Sequence, residues 1–383
     1  MGVTGIICEY NPLHLGHKKQ IDTIKACHPE DSIVCLMSGN YVQRGAPAIF
    51  DKSLRAEAAV LCGADLVLEL PLTASLSSAE GFAAEGVRIL GRFCDRLCFG
   101  VESATADSLF ATAKALLSPA FSEKLRSELD KGVSFPVARQ MALQAMGVQH
   151  DTLSQPNDIL ATEYCKAILQ QGVSMEPMPI VREGKYHDTA IDAENPSATA
   201  LRVRMAEGDS WLAYVPEPAR SVFEGADMHT LSAGEQAILY RLRTMTDAEF
   251  EALPYGSEGL WRKLMRNARK CATLEEIITA TKSKRYTRTR LDRMVMCAFL
   301  GITQKDISSP APYARVLALN DNGREILKTA RQTGAFPNAG EAVDSPYQTL
   351  EQRAGMVYGL FSASDPALFR EEERRIYYKK ELV

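Results

Sequence analysis

The chain has 383 residues, of which 46% are hydrophobic and 24% are charged. These values are those of a globular protein, and they exclude a single small module, a collagen-like repeat and a disordered chain. No run approaches the ~20 apolar residues that cross a bilayer, and the N-terminus lacks a basic segment followed by a long apolar stretch. We therefore expect a cytoplasmic protein of two or three domains.

The nine cysteines are odd in number and irregularly spaced, which is typical of reduced thiols rather than of a disulfide framework. The closest pair, Cys94 and Cys98, has no second pair or histidine nearby, so we expect no protein metal site. Charge is distributed unevenly, because residues 256–294 contain 11 Lys or Arg against 4 Asp or Glu in a chain of net charge −4. Such a local excess of cations indicates a polyanionic partner.

In the first half of the chain, short apolar runs alternate with helical periods. The runs predict strands over residues 3–8, 32–37, 66–70, 97–99 and 178–181. The helical periods cover residues 15–27, 53–62, 78–90 and 107–117, and residues 122–171 are predicted to be helical throughout. This alternation predicts an α/β fold with a parallel sheet covered by helices, in which ligands bind beyond the carboxyl ends of the strands.

A further helix is predicted to begin at residues 196–199 and to end at residue 207, and the pattern changes after it. Residues 231–253 and 259–300 are mostly helical, and a strand at 313–319 and a helix at 323–333 follow. We therefore divide the chain into an α/β domain (1–208), a basic helical domain (209–310) and a small C-terminal α/β region (311–383).

The first predicted strand ends in a polar turn and a helix that carries His14 and His17. Their spacing places both imidazoles on one face of the first helical turn, beside unpaired backbone N–H groups and the positive end of the helix dipole. Such a turn favours a phosphate group, and Gly16 leaves the backbone open to a nucleotide. Two histidines on a helix are more often a solvated or packing pair, and only the position after a first strand favours the phosphate site.

The segment Ser197-Ala198-Thr199-Ala200-Leu201-Arg202 combines hydroxyls at a predicted helix N-terminus with a cation one turn later. Alone, this segment is an ordinary capping motif.

His-x-Gly-His at the end of a first strand is identified as the signature of the nucleotidyltransferase α/β-phosphodiester superfamily. Ser197 to Arg202 resembles the second element of that superfamily, which implies that its hydroxyls and Arg202 hold the β- and γ-phosphates, although Ala198 departs from the more common hydroxyl-rich form. Three further segments resemble the bacterial tRNA(Met) cytidine acetate ligase family, and the likeness covers essentially the whole chain: Glu9-Tyr10-Asn11-Pro12, Ser38-Gly39-Asn40-Tyr41-Val42-Gln43-Arg44-Gly45 and Lys282-Ser283-Lys284-Arg285-Tyr286-Thr287.

This resemblance implies a Rossmann-like, HUP-type nucleotidyltransferase domain that activates acetate with ATP, and a helical domain that binds elongator tRNA(Met). Acetyl-adenylate would form first, and its acetyl group would pass to the exocyclic amine of the wobble cytidine to give N4-acetylcytidine. His14 and His17 are the implied catalytic residues. The implied ATP-binding residues are Ile7, Cys8, Glu9, Tyr10, Asn11, Pro12, Leu13, His14, Leu15, Gly16, His17, Lys18, Lys19, Gln20, Gly100, Asn157, Arg182, Ser197, Thr199 and Arg202. Magnesium is expected on the departing pyrophosphate, without a cage of protein ligands.

Three of these residues have an ordinary structural alternative. Gly100 could serve a turn of positive φ, Asn157 could cap the helix after Pro156, and Arg182 could pair with Glu183 at the surface. Asn40, Gln43 and Arg44 follow the second predicted strand, where we expect a small acetate pocket closed by apolar neighbours such as Pro47 and Ile49. The nearby Asp51 is interpreted as a helix cap.

The basic stretch is the expected tRNA contact, because clustered cations bind phosphates and an aromatic ring can stack on an unpaired base. The expected tRNA-binding residues are Lys282, Lys284, Arg285, Tyr286, Arg288 and Arg290, with Arg262, Lys263, Arg266, Arg269 and Lys270 as secondary candidates. The alternative is a solvated helix face.

Two other functions remain open from the sequence. One is another enzyme of the same fold, either a small-molecule adenylyltransferase or a pantothenate-synthetase-like ligase of an acid and an amine. The other is an RNA-binding protein without catalytic activity. The basic helical domain favours the tRNA ligase over the small-molecule enzymes, and the intact His and Ser-x-Thr-x-x-Arg elements favour an enzyme. The oligomeric state is not readable from the sequence.

Overall fold

A computed structural model of the protein describes residues 2–133, 135–148, 153, 155–182, 195–283, 285–332, 344–362, 364 and 366–380. Its nine strands are β1 (Val3–Cys8), β2 (Ser32–Ser38), β3 (Tyr41–Val42), β4 (Ala46–Pro47), β5 (Leu66–Leu70), β6 (Arg96–Val101), β7 (Glu176–Val181), β8 (Val316–Asn320) and β9 (Tyr377–Lys379). Seven of them form one sheet in the order β7-β6-β1-β2-β5-β8-β9, and β3 and β4 form a separate antiparallel hairpin. The fold class predicted from the sequence is confirmed.

The helices that precede Gly208 are α1 (Leu15–Cys27), α2 (Lys52–Leu61), α3 (Leu72–Ser75), α4 (Ala79–Leu90), α5 (Ala106–Leu117), α6 (Pro119–Asp130), α7 (Phe135–Gln144), α8 (Pro156–Gln171) and α9 (Ala198–Glu207). Those that follow are α10 (Glu217–Phe223), α11 (Glu235–Thr244), α12 (Asp247–Glu251), α13 (Leu260–Ala268), α14 (Leu274–Thr281), α15 (Arg288–Leu300), α16 (Gln304–Ile307), α17 (Asp321–Gln332) and α18 (Pro346–Tyr358). Short 3-10 turns cover Leu212–Tyr214, Gly359–Phe361 and Glu371–Glu373.

The central strands are buried on both faces, as their continuous apolar runs predict. Every residue of β2 is buried. Val34 and Leu36 pack on the side of α4 and α8, whereas Ile33, Cys35 and Met37 pack on the side of α1 and α2. Two cores therefore sandwich the sheet and hold the carboxyl ends of β1 and β6 in place.

The C-terminal region adds β8 and β9 to the edge of the same sheet. Strand β8 runs antiparallel to β5, and β9 pairs in parallel with β8. The sequence predicted a parallel sheet in the first domain and a separate C-terminal α/β region, but the two C-terminal strands belong to that same sheet. The pairing of β5 with β8 is antiparallel because the chain returns from the helical region rather than through a βαβ crossover. The predicted helical segment 122–171 is interrupted after α6, which ends before Gly132 with its φ of +82°. The start of a helix at Pro156 agrees with the sequence prediction.

The helices α11 to α15 surround a third core, in which Leu260, Leu264 and Ala268 form the inner face of α13. The β3–β4 hairpin joins this core to the sheet. Gly45, with φ +75°, has no room for a side chain, because a Cβ atom there would lie 2.4 Å from the backbone nitrogen of Arg293 on α15. The hairpin thus packs directly on the basic helical region.

All nine cysteines are free thiols. Within the described residues, no helix is both long and apolar enough to cross a membrane.

Candidate active site

A cavity of about 1110 Å³ opens beyond the carboxyl ends of β1, β6 and β7. It lies where the strand order changes direction, since β1 pairs with β2 on one side and with β6 on the other. Ligands in open α/β sheets bind at such a switch point. The walls come from the β1–α1 turn, the ends of β6 and β7, the N-terminus of α9 and the β3–β4 hairpin.

His14 and His17 lie against each other at the start of α1. Their rings stack with centroids 3.7 Å apart, and Tyr10 meets the His17 ring edge-on at 4.9 Å. The Nδ1 atom of His14 accepts a hydrogen bond from the backbone N–H of Gly16 at 3.1 Å, and Nδ1 of His17 accepts one from the backbone N–H of His14 at 3.3 Å. Because both Nδ1 atoms are acceptors, each neutral ring carries its proton on Nε2.

The electrostatic surroundings keep both imidazoles neutral. Burial, reinforced by His17, Arg182 and Arg202, lowers the pKa of His14 well below its ordinary value. Burial together with Arg182 lowers the pKa of His17 to about 3. The two histidines therefore present two neutral Nε2–H donors at a helix N-terminus, an arrangement suited to binding a phosphate group.

The second predicted element, Ser197 to Arg202, lines the same cavity. It also caps a helix, which is the structural alternative that the sequence offered. The Ser197 hydroxyl caps α9 by accepting from the backbone N–H of Ala200 at 3.0 Å. Arg202 donates to the carbonyl oxygen of Asn11 at 2.6 Å and to the Thr199 hydroxyl at 3.2 Å. Arg202 thus ties the β1–α1 turn to α9 and brings the histidine and hydroxyl elements together.

Gly100, Asn157 and Arg182 meet on another wall. A Cβ atom on Gly100 would lie 3.0 Å from the Cγ and Cδ atoms of Arg182, so the glycine makes room for that side chain. The alternative of a positive-φ turn at Gly100 is wrong, because the residue lies inside β6 and pairs with Ile180. Arg182 Nη1 approaches Asn157 Oδ1 at 3.5 Å. The alternative partner Glu183 lies outside the described residues.

Asn157 does not cap α8, whose N-cap residue is Gln155. Its amide instead donates to Glu102 Oε1 at 2.7 Å, and Glu102 also accepts from the backbone N–H of Asp158 at 3.0 Å. In return, Asp158 Oδ1 accepts from the backbone N–H of Glu102 at 2.8 Å. These reciprocal contacts fix Asn157 at the cavity wall. Glu102 was not predicted from the sequence, because hydrophobic periodicity does not indicate such a contact.

Most of the remaining predicted ATP-binding residues also line the cavity: Ile7, Cys8, Glu9, Tyr10, Asn11, Gly16, Lys19 and Gln20. Lys19 donates to Asn195 Oδ1 at 2.6 Å. Four predicted residues are not among those lining it: Pro12, Leu13, Leu15 and Lys18. Leu13 is fully buried in the core, and Lys18 pairs with Asp22 along α1.

The predicted acetate residues separate into two groups. Gln43 and Arg44 line the cavity together with Pro47 and Ile49, whereas Asn40 is not among the lining residues. The Asn40 amide donates to Asp51 Oδ2 at 3.1 Å and accepts from the backbone N–H of Lys52 at 2.8 Å, so it organises the start of α2. Asp51 is the N-cap of α2, as interpreted from the sequence.

Two residues that sequence reasoning did not connect fix the segments after β1: Glu9 contacts the hairpin, and Arg55 joins the ends of β1 and β2 to the segment before α2. Glu9 Oε1 accepts from the backbone N–H of Gln43 at 2.7 Å. Arg55, which is fully buried, donates to the carbonyl oxygens of Glu9, Ser38, Gly39 and Phe50. A guanidinium group can satisfy several diverging carbonyl oxygens at once.

The basic stretch lies away from this cavity, and several of its charges are already compensated. Arg285 pairs with Glu258, Arg288 pairs with Glu275 at 2.5 Å, and Arg290 donates to the carbonyl oxygen of Tyr255 at 2.7 Å. Tyr286 lies beside Arg290, while Lys284 falls outside the described residues. In the part of the chain that the structure describes, these cations have no carboxylate within ion-pair distance: Arg262, Lys263, Arg266, Lys270, Lys282 and Arg290.

These elements define a nucleotidyltransferase site of the His-x-Gly-His type, and a family model described as HIGH Nucleotidyl Transferase matches residues 1–371. A tRNA(Met) cytidine acetate ligase of Clostridium acetobutylicum is 36% identical over 361 residues, which cover 88% of this chain and 89% of the relative. The chain belongs to the tRNA(Met) cytidine acetate ligase family.

Two crystal structures of Thermotoga maritima TmcAL share the fold. The apo structure has a TM-score of 0.89 at 28% identity, with all of both chains covered. The structure of that protein bound with alpha-thio ATP has a TM-score of 0.85 at 27% identity, over 99% of this chain and 100% of the other. The likeness therefore extends through the helical region and the C-terminal strands.

Proposed function

We propose that this protein activates acetate with ATP and transfers the acetyl group to the wobble cytidine of elongator tRNA(Met). The observation that carries the proposal is the convergence of the neutral pair His14 and His17 with Ser197, Thr199 and Arg202 on one cavity beyond the sheet. Membership of the ligase family supports it. A tRNA substrate supports the expected cytoplasmic location.

In the first step, an acetate oxygen attacks the α-phosphorus of ATP. The bond from that phosphorus to the bridging oxygen of the β-phosphate breaks, and pyrophosphate leaves with the electron pair. The Nε2–H groups of His14 and His17 donate to the α- and β-phosphate oxygens, where charge increases in the transition state. The hydroxyls of Ser197 and Thr199 and the Arg202 guanidinium hold the β- and γ-phosphates.

Arg182, Asn157 and Gly100 support the nucleotide at the ends of β6 and β7. Acetate lies between the histidine turn and the hairpin, where Gln43 and Arg44 supply polar groups and Pro47 and Ile49 supply apolar contact. A pocket this close to apolar side chains suits a methyl group next to a carboxylate. In this proposal, the space between the hairpin and the histidine turn limits the size of the acid and so selects acetate.

In the second step, the cytidine amine attacks the acyl carbon of acetyl-adenylate, the bond from that carbon to the phosphate oxygen breaks, and AMP leaves. The amine is a weak nucleophile because its lone pair is delocalised into the ring. A mixed anhydride held beside it in a fixed orientation overcomes this weakness. The proton lost from the amine passes to the departing AMP or to water.

We assign magnesium to the triphosphate of ATP, whose oxygens would be its ligands. Within the described residues, no group of three or more His, Cys, Asp or Glu side chains could hold a metal ion. Magnesium commonly keeps several waters and binds substrate phosphates. When bound, it would neutralise charge on the departing pyrophosphate, while His14 and His17 position the α-phosphate.

The tRNA contact is assigned to the basic helical region, from α13 to α15. Cations without a carboxylate partner can accept phosphates without breaking an existing ion pair, so Arg262, Arg266, Lys270 and Lys282 are favoured over Arg285 and Arg288. Tyr286 and Arg290, which the sequence also predicted to bind tRNA, are kept in the proposed contact. Lys284 is kept as well, although it lies outside the described residues. The net negative charge of the rest of the chain confines tRNA to this face.

The deciding experiment is incubation of the protein with ATP, labelled acetate and total bacterial tRNA, followed by nucleoside analysis. Label is expected only in N4-acetylcytidine, and only when ATP is present. Pyrophosphate release that needs a phosphorylated cosubstrate instead of acetate would identify a small-molecule adenylyltransferase. Acetyl-adenylate formation without label in tRNA would refute the assigned acceptor.

A further inference from the structure

A second groove, of about 1010 Å³, lies between the sheet region and the helical region. One wall is the α3–α4 junction with Ser77 and Ser78, and the other carries Tyr255, Trp261, Arg290 and Arg293. It shares no lining residue with the ATP cavity. Nothing in the proposed activation of acetate uses it.

The two cavities are separated by a thin wall. Arg293 lines the groove, and its Nη1 donates to the carbonyl oxygen of Gln43 at 3.4 Å, on the hairpin that lines the ATP cavity. The close packing of Gly45 against the backbone of Arg293 leaves no space for further residues between them. Arg293 and the hairpin are therefore in direct contact between the two cavities.

Arg293 is a half-buried cation, and the carboxylate of its neighbour Asp292 pairs with Arg288. No carboxylate of the described residues lies within ion-pair distance of it, and its Nε is buried without a hydrogen-bond partner there. Burial lowers the pKa of Arg293. A desolvated guanidinium without an ion pair is unfavourable, and a phosphate supplies both the charge and two oxygens that accept from the guanidinium fork.

Arg290 lies one turn earlier on the same helix and lines the same groove. Its Nε and Nη2 are held by the Tyr255 carbonyl oxygen, and no carboxylate pairs with it in the described part of the chain. The groove carboxylates Glu85 and Glu258 are paired with Arg88 and Arg285. Of the acids that line the groove, Glu251 alone has no described ion-pair partner, so the two arginines leave an excess of positive charge.

An aromatic surface accompanies the two cations. Trp261 lines the groove, and the Arg262 guanidinium lies 4.8 Å from the centre of its ring. Tyr255 lies beneath Arg293 at 5.4 Å. Arginine beside an aromatic ring is the usual means by which proteins hold an unpaired base and its phosphate.

We propose that this groove holds the nucleotide adjoining the reacting cytidine, with its phosphate on Arg293 and Arg290 and its base on Trp261. The inference rests on the proposed function, because it requires that a single-stranded tRNA segment delivers the cytidine to the ATP cavity. In this proposal, Arg293 and the β3–β4 hairpin position two consecutive nucleotides, one on each side.

The experiment uses the full-length protein and an anticodon stem-loop RNA. Wild-type acetyl transfer to this RNA is measured first, since its absence would count against the proposed function and not against the groove. The variants Arg293→Gln and Trp261→Ala are then compared with Lys328→Gln, an exposed residue of α17 that pairs with Glu325. We expect the groove variants to raise KM for the RNA about tenfold and to leave acetate-dependent ATP–pyrophosphate exchange within about twofold of wild type.

The phosphate contact itself is tested with an RNA that carries a neutral methylphosphonate at a linkage next to the cytidine. This change should weaken binding to the wild type about tenfold and should have little further effect on Arg293→Gln, because both changes remove the same contact. Additive losses would overturn the proposal, and so would an unchanged KM for RNA in the groove variants. A parallel loss of pyrophosphate exchange in Arg293→Gln would also overturn it, since Arg293 would then serve only to hold Gln43.

Discussion

Glu9, at the end of the first strand, accepts a hydrogen bond from the backbone N–H of Gln43 on the hairpin, at 2.7 Å. This bond joins the turn that carries the histidines to the segment assigned to acetate, although 34 residues separate the partners. The position of the hairpin over the cavity therefore depends on a carboxylate in the histidine turn.

Glu9→Ala is expected to raise KM for acetate about tenfold, because a hydrogen bond to a charged group contributes about 1.5–3 kcal/mol. KM for ATP should change less, since the histidine and hydroxyl elements stay in place. Acetate titrations of ATP–pyrophosphate exchange measure both constants. Glu9→Gln keeps an acceptor oxygen and should retain most of the acetate affinity; equal effects on acetate and ATP would refute a specific link to the hairpin.

His14→Asn separates phosphate binding from helix capping. Asparagine is a good N-cap residue, so it preserves the bond to Gly16 but removes the Nε2–H donor. We expect ATP–pyrophosphate exchange to fall by about 10²–10³, as for the loss of one donor to a developing charge, while the melting temperature changes little. His28→Asn, at the C-cap of the same helix, is the matched control and should react at the wild-type rate. Undiminished exchange in a His14→Asn, His17→Asn double variant would refute the assigned chemistry.

The stability of the protein should depend on pH through His17. Its pKa of about 3 in the folded chain lies below the ordinary value of 6.5, so the unfolded chain binds the proton first as pH falls. The free energy of unfolding should therefore decrease between pH 6.5 and 3, by roughly 1.4 kcal/mol for each pH unit from this group.

His17→Asn removes that titration, and its urea-unfolding free energy should fall less steeply with acid than that of the wild type. Coincident slopes for the two proteins from pH 6.5 to 4.5 would contradict the low pKa of His17.

The affinity for tRNA and its salt dependence should decrease when cations that lack a carboxylate partner are neutralised. Replacing Arg262, Arg266 and Lys270 by Gln should lower the slope of log affinity against log salt by about 2, if each cation meets a phosphate of single-stranded RNA. The double variant Arg285→Gln, Arg288→Gln should have a smaller effect, because Glu258 and Glu275 already compensate these charges. Filter binding over a salt series measures both; a larger effect of the double variant would reverse the assignment.

The local elements of the sheet region could be predicted from the sequence because their signals lie in consecutive residues. The bounds predicted for β1, α1 and β5 agree with the structure, and so does the placement of His14 and His17 on the first turn of α1. An apolar run followed by a polar turn and a helical period needs no distant partner to be recognised. The phosphate character of that turn follows from the helix N-terminus itself.

Contacts between distant segments were decided only by tertiary structure. The bonds from Arg202 to Asn11 and from Glu9 to Gln43 bring turns together across the fold, and periodicity contains no information on such pairs. The same limit applies to charge. Composition indicates a basic stretch, but which arginines pair with Glu258 and Glu275, and which keep their charge for a ligand, depends on how helices α13 to α15 pack. The low pKa values of the histidines likewise arise from burial, which the assembled cavity alone creates.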